Sequence, residues 1–167
     1  HRRENWGEGI KNICSALKKI TDENKNIEIV YLVHLNPVVK DMVYKILGNV
    51  SRVHLLPPLD TKETHNLMNK CFMVMTDSGG LQEEAPHLGK PVLVLRNVTE
   101  RPEAVEAGTV RLVGTDEQKI IKLANELIRN PKEYDVMSKA INPYGDGKAA
   151  YRITEAILQN LNQIRKL

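Results

Sequence analysis

Cysteine, an excess of either charge, and long apolar runs are all scarce in this sequence, and each scarcity excludes something. The only two cysteines, Cys14 and Cys71, lack CxxC spacing and stand in apolar patterns. They are expected to be buried thiols of a reduced, cytoplasmic protein, with a disulfide between them as the lesser alternative. Lys and Arg number 24 against 21 Asp and Glu, a formal net charge of +3, which is too small an excess to argue for nucleic acid as a partner. The longest apolar runs, 29–33 and 71–75, have five residues each, where a membrane-spanning helix takes about 20. Residues 1–5, His1-Arg2-Arg3-Glu4-Asn5, lead into no apolar stretch of the signal-peptide kind. His54, His65 and His87 are scattered without metal-ligand spacing. The chain opens on His, not Met, so it is expected to be processed or a piece of a longer chain.

What is present is a globular balance, 41% hydrophobic and 27% charged, in 167 residues, the length of about one domain. One core over 1–167 is therefore expected. Two hydrophobic periods alternate along it. Ile10, Ile13, Leu17 and Ile20 form a helical stripe, and a β-branched run at 27–33 follows. After Asn36-Pro37, a second stripe of Val39, Met42, Val43 and Ile46 ends at Gly48. A short strand at 52–56 is stopped by Pro57-Pro58, and Asp60 or Thr61 caps a helix to about Lys70, with Glu63 placed for a capping box. Strands are expected at 72–76, 92–95 and 110–113. Helices are expected at 80–88, 101–107 and 116–129, with a helical turn after Pro131 and a closing helix from about Lys148. Strands alternating with helices indicate an α/β fold, a parallel sheet with helices on both faces. The first helix begins so early that a strand feeding it is expected to be missing. In such sheets ligands sit beyond the carboxyl ends of the strands, which directs attention to the loops after Thr76 and Leu95.

The most informative stretch is Thr76-Asp77-Ser78-Gly79-Gly80-Leu81-Gln82-Glu83-Glu84. It passes from a buried strand through a small-residue turn into a helix. Glycine there permits positive φ and close approach of a ligand to the backbone, and the helix start turns N–H groups and positive dipole toward an anion. A phosphate or diphosphate suits it, with the Ser78 hydroxyl as a further donor and Glu84 placed to accept from a ribose diol. The alternative is a simple capped turn. The stretch is neither a Walker loop nor G-x-G-x-x-G. His1-Arg2-Arg3 gathers three basic side chains suited to an anion, or else makes a solvated terminus. The polar loop 96–103, Arg96-Asn97-Val98-Thr99-Glu100-Arg101-Pro102-Glu103, is either a set of surface ion pairs or a ligand or domain contact. Asn142-Pro143-Tyr144-Gly145-Asp146-Gly147 is either a capped turn or a second anion-facing edge. His34, after a strand, reads first as a structural histidine.

In this order, HRREN, DSGGLQEE, RNVTERPEAVEAGT and NPYGDGKAAYRI resemble the non-hydrolysing UDP-N-acetylglucosamine 2-epimerases of bacteria, over residues 1 to about 157. The resemblance implies a Rossmann-like carboxyl-terminal domain, one half of a GT-B fold. It further implies interconversion of UDP-N-acetylglucosamine and UDP-N-acetylmannosamine by elimination and re-addition of UDP. It places Ser78, Gly79 and Gly80 on the diphosphate, Glu84 on the ribose hydroxyls, and Leu56 with Pro57 toward the uracil. His1 matches the histidine that assists departure of UDP. Arg2 and His34 match positions that help hold a second UDP-N-acetylglucosamine as an allosteric activator. The acid and base carboxylates belong, by the same resemblance, to an amino-terminal domain outside residues 1–167. A homodimer is implied for the whole protein, and no NAD, metal or membrane partner. Two other readings are a donor-nucleotide domain of a GT-B glycosyltransferase and a non-catalytic nucleotide-sugar sensor.

Overall fold

A computed structural model describes residues 2–164. After a single 3-10 turn at Arg3–Asn5, Gly7 takes a φ of 77° and opens α1 (Glu8–Glu23). The apolar stripe reads directly into packing, since Ile10, Ile13, Leu17 and Ile20 are all buried, with Cys14 and Ala16 between them. β1 (Ile29–Leu32) follows, then α2 (Pro37–Leu47), where the Asn36 side chain accepts from the Val38 N–H and Pro37 stands in the first turn. β2 (Val53–Leu56) lies parallel to β1, from Ile29 opposite Val53 to Leu32 opposite Leu56. α3 (Thr61–Lys70) begins with the anticipated capping box between Asp60 and Glu63. β3 (Val74–Thr76), α4 (Gly79–His87), β4 (Val92–Val94), α5 (Pro102–Glu106) and β5 (Val110–Leu112) continue the alternation. α6 (Glu117–Arg129) is capped by the Asp116 carboxylate on the Lys119 N–H. α7 (Pro131–Ser138) is a full helix where a turn was expected, because the Asn130 side chain caps it and Met137 is buried beneath it. α8 (Ala149–Ile164) ends the described chain.

β4 shows why the sheet needs cover on both faces. Leu93 joins the larger apolar cluster with α1, α2 and α6, whereas Val92 and Val94 join a smaller one with Met68, Ala85, Ala104 and Val110. Alternate residues of a strand point to opposite faces, so three consecutive apolar residues are needed to satisfy two layers.

The expected α/β fold of parallel strands with flanking helices is present, but the strands do not form one continuous sheet among the described residues. All pairings are parallel, but they form a two-stranded sheet, β1-β2, and a three-stranded one, β3-β4-β5. A cavity of about 670 Å³ separates them, lined by Ile29, Val30, Tyr31 and Leu32 on one side and Val74, Met75 and Thr76 on the other. Ile10, Ile13 and Leu17 of α1 also line it. β1 and β3 face one cavity without pairing across it, and that interruption divides the sheet. Both cysteines are free thiols, but only Cys14 is buried. Cys71 is half-buried, because it ends α3 on the cavity wall. Among the described residues no helix is long and apolar enough to cross a membrane.

Candidate functional site

The carboxyl ends of the strands gather the polar motifs, and β3 sets the centre. Beyond Thr76 the chain turns at Asp77 and Ser78, and the Ser78 N–H donates to Thr76 Oγ1 at 3.0 Å. Ser78 holds the cap position of α4, but its hydroxyl makes no hydrogen bond to the helix N–H groups. The capped-turn alternative is thus not what the serine does here. The first-turn N–H groups keep the unsatisfied state that makes a helix start attractive to anions.

The glycines work differently from the expectation. Neither Gly79 nor Gly80 takes a positive φ, since both already belong to the first turn of α4. What they supply is room. A Cβ at position 80 would meet Glu84 Oε1 at 3.4 Å, and one at position 79 the Arg101 guanidinium at 3.8 Å.

The helix behind this turn is tied down on several sides. Gln82 is fully buried; its Nε2 donates to the Ser78 carbonyl at 3.3 Å and its Oε1 accepts from the Thr99 hydroxyl at 2.6 Å. Glu83 accepts from Arg101 Nε, and its carbonyl accepts from Asn142 Nδ2 at 3.1 Å. Glu84 pairs through Oε2 with His65 Nε2 at 2.8 Å. The loop after β4 is therefore more than a surface ion-pair set, because Arg101 and Thr99 fix α4.

Residues 2–5 are anchored to the body of the chain, although Arg3 and Glu4 remain exposed. Asn5 is buried and donates from Nδ2 to the Leu95 carbonyl at 3.0 Å. Arg96, only 5% exposed, donates to Glu100 at 2.6 Å and to Glu4 at 2.7 Å. Those two carboxylates, Glu100 foremost, hold its guanidinium above the ordinary arginine range. The Arg2 N–H donates to Asp77 Oδ2 at 2.9 Å, and Arg2 Nε to the Asp77 carbonyl at 3.3 Å. Burial works against the charged form of Asp77, but the Arg2 N–H leads the groups that favour it, and its carboxyl is held below the usual range.

Arg2 also lines a second cavity, of about 490 Å³, together with Arg3, Glu4, Trp6, His34 and Asn36. His34 Nδ1 accepts from the Asn36 N–H at 3.1 Å. Arg2 and His34, far apart in sequence, thus share one basic cavity beside the Asp77–Ser78 turn. Leu56 lies at the carboxyl end of β2, 37% exposed. His1 falls outside the described residues. In the 142–147 loop, Asp146 accepts twice from Arg152 at 2.8 Å and once from the Lys148 N–H at 3.1 Å. That carboxylate closes the turn ahead of α8 and is tied to the helix by Arg152, which above all holds it below the ordinary aspartate range. Asp77 and Arg101 stand inside stretches 76–84 and 96–103 that the sequence marked, but nothing in the sequence tied them to Arg2 and Glu83, and His65 carried no signal as the partner of Glu84.

The family model described as UDP-N-acetylglucosamine 2-epimerase matches residues 1–158. The chain is 72% identical over 165 residues to a putative UDP-N-acetylglucosamine 2-epimerase of Clostridium acetobutylicum, covering 99% of this chain and 43% of that protein. It is 54% identical to the UDP-N-acetylglucosamine 2-epimerase of Bacillus subtilis, covering 95% of this chain and 42% of the relative. Among solved structures, S. aureus MnaA with UDP superposes at a TM-score of 0.93 and 49% identity, over 97% of this chain and 44% of that one. UDP-GlcNAc 2-epimerase from Neisseria meningitidis, bound to UDP-GlcNAc, superposes at 0.91 and 48% identity, over 95% and 43%. The chain spans less than half the length of the curated relatives it matches.

Proposed function

The chain belongs to the UDP-N-acetylglucosamine 2-epimerase family, and we propose that residues 1–167 form the UDP-binding carboxyl-terminal half of such an enzyme. The reading rests on one observation above the others. The turn beyond β3 presents a serine hydroxyl not spent on its own helix, two glycines without side chains, and the start of α4. That combination suits a diphosphate, with Ser78, Gly79 and Gly80 around it and Glu84 accepting from the ribose. Leu56 faces the uracil in this reading. The matched relatives solved with UDP and with UDP-GlcNAc support the ligand class.

The activity proposed for the whole protein is interconversion of UDP-N-acetylglucosamine and UDP-N-acetylmannosamine by elimination and re-addition of UDP. Cleaving the sugar–diphosphate bond moves negative charge onto the departing UDP. The helix start and the Ser78 hydroxyl stabilise that charge where it develops. His1 assists the same departure, while acid and base carboxylates from an amino-terminal domain act on the sugar. The basic cavity of Arg2 and His34 takes a second UDP-N-acetylglucosamine as activator. The whole protein is a cytoplasmic homodimer in this reading, with two domains in the GT-B arrangement.

Calorimetric titration of the chain with UDP tests the cradle. Weak saturable binding is expected, lost or much weakened by Ser78→Ala, and no turnover, since half the cleft belongs to the other domain. Absence of binding at millimolar UDP overturns the assignment of Ser78 to Gly80. Epimerisation by the chain alone overturns the placement of the catalytic carboxylates.

A further inference from the structure

We propose that His65 is a positioning residue for the nucleotide. It holds one oxygen of Glu84 so that the other faces the glycine turn and accepts from the ribose. The inference rests on the reading of Glu84 as the ribose ligand and adds what makes that carboxylate ready.

Two adjacent glutamates stand at the middle of α4, and each is held from a different element. Glu83 is engaged by Arg101 from the loop after β4. Glu84 is engaged by His65 from α3, Nε2 to Oε2 at 2.8 Å. Its other oxygen, Oε1, stands 3.4 Å from where a Cβ at Gly80 would be. The imidazole therefore takes the oxygen away from the turn and leaves the oxygen beside it. An ionised carboxylate only accepts, with about four lone-pair positions over its two oxygens, so one N–H from histidine still leaves capacity for a diol.

The donor is well founded. α3 carries a reciprocal capping box at Asp60 and Glu63, so the helix bearing His65 starts at a fixed point. His65 and Glu84 side chains are 47% and 46% exposed, which leaves the pair open to a ligand and makes it dispensable for the core. A glutamate held in one rotamer before binding loses less side-chain freedom when the ligand arrives. For a half-exposed pair the expected gain is about fivefold in affinity at most.

The test measures the chain against two probes by calorimetry, UDP and 2′,3′-dideoxy-UDP, which lacks both ribose hydroxyls. His65→Ala is expected to weaken UDP about threefold to fivefold and leave the dideoxy compound unchanged. His65→Gln, which keeps an N–H donor, recovers most of the loss, and His65→Ala adds nothing in a Glu84→Ala background. Equal weakening of both probes by His65→Ala overturns the proposal, as does unchanged UDP affinity while Glu84→Ala weakens it. If Glu84→Ala leaves UDP affinity unchanged, the ribose reading itself falls and takes this inference with it. That outcome is separate from failure of His65 alone.

Discussion

β4 and β1 are written in the same kinds of residue, Val-Leu-Val against Ile-Val-Tyr-Leu, and they meet different surroundings. β4 lies between β3 and β5 and is buried at all three positions. β1 pairs with β2 alone, faces the cavity with its other edge, and leaves Val30 40% exposed. The difference teaches that an apolar run states what a strand is able to bury, while the number of paired neighbours decides what it does bury. Most of the candidate motifs follow the better-covered half, since Ser78, Glu84, Arg96 and Arg101 hang from β3 and β4, whereas Leu56 and His34 stand at the ends of β2 and β1.

The largest expected effect separates the two strands directly. Leu93→Ala removes a fully buried side chain from the main cluster and is expected to destabilise by about 3 kcal/mol in urea unfolding. Val30→Ala is expected to lose less than about 1 kcal/mol. Equal losses would break the comparison.

Next comes the support beneath the site. Gln82→Leu leaves the Thr99 hydroxyl and the Ser78 carbonyl without their buried partner, for a loss of about 2 kcal/mol. It is also expected to weaken UDP binding in the calorimeter, because the Ser78 turn loses its tie. Ser78→Ala sharpens the contrast: it is expected to change stability by less than about 0.5 kcal/mol and to act on UDP affinity alone.

The smallest effect uses the two thiols as reporters. Burial pushes Cys14 from its ordinary 9.0 up to about 12, and burial also raises Cys71, opposed first by Lys90. Iodoacetamide at mildly alkaline pH is expected to modify Cys71 well before Cys14, read by peptide mass. The sign of the linkage follows. Between pH 9 and about 12 the unfolded chain releases the Cys14 proton and the folded chain keeps it. That contribution to stability is therefore whole below pH 9 and is lost as pH rises toward about 12. Cys14→Ala is expected to flatten this alkaline fall in the unfolding midpoint. Prior labelling of Cys14 would show that the α1 side of the core is as open as the cavity wall.

Local chemistry was readable wherever it acts over a few residues. The α1 stripe, the Asn36-Pro37 start of α2 and the Asp60–Glu63 capping box were legible, because period and capping operate within one or two turns. The Thr76–Gly80 stretch was legible as a strand-to-helix turn, though not in its backbone angles. The division into two sheets was not legible, since pairing depends on which edges meet. Nor was the staple of Glu4 to Arg96, 92 positions apart, or that of His65 to Glu84, which joins two helices. Charge identity gives no address for its partner.

The cavity between the sheets has a consequence for what the chain is able to accept. A row of backbone donors and acceptors on the open edge of a strand is a template for any other strand, and natural proteins blunt such edges with charge, bulges or cover. β1 and β3 turn apolar residues, Val30 and Met75 among them, toward that opening. An extended segment laid into that opening would therefore meet unpaired backbone on both sides and apolar cover from Ile10, Ile13 and Leu17 of α1.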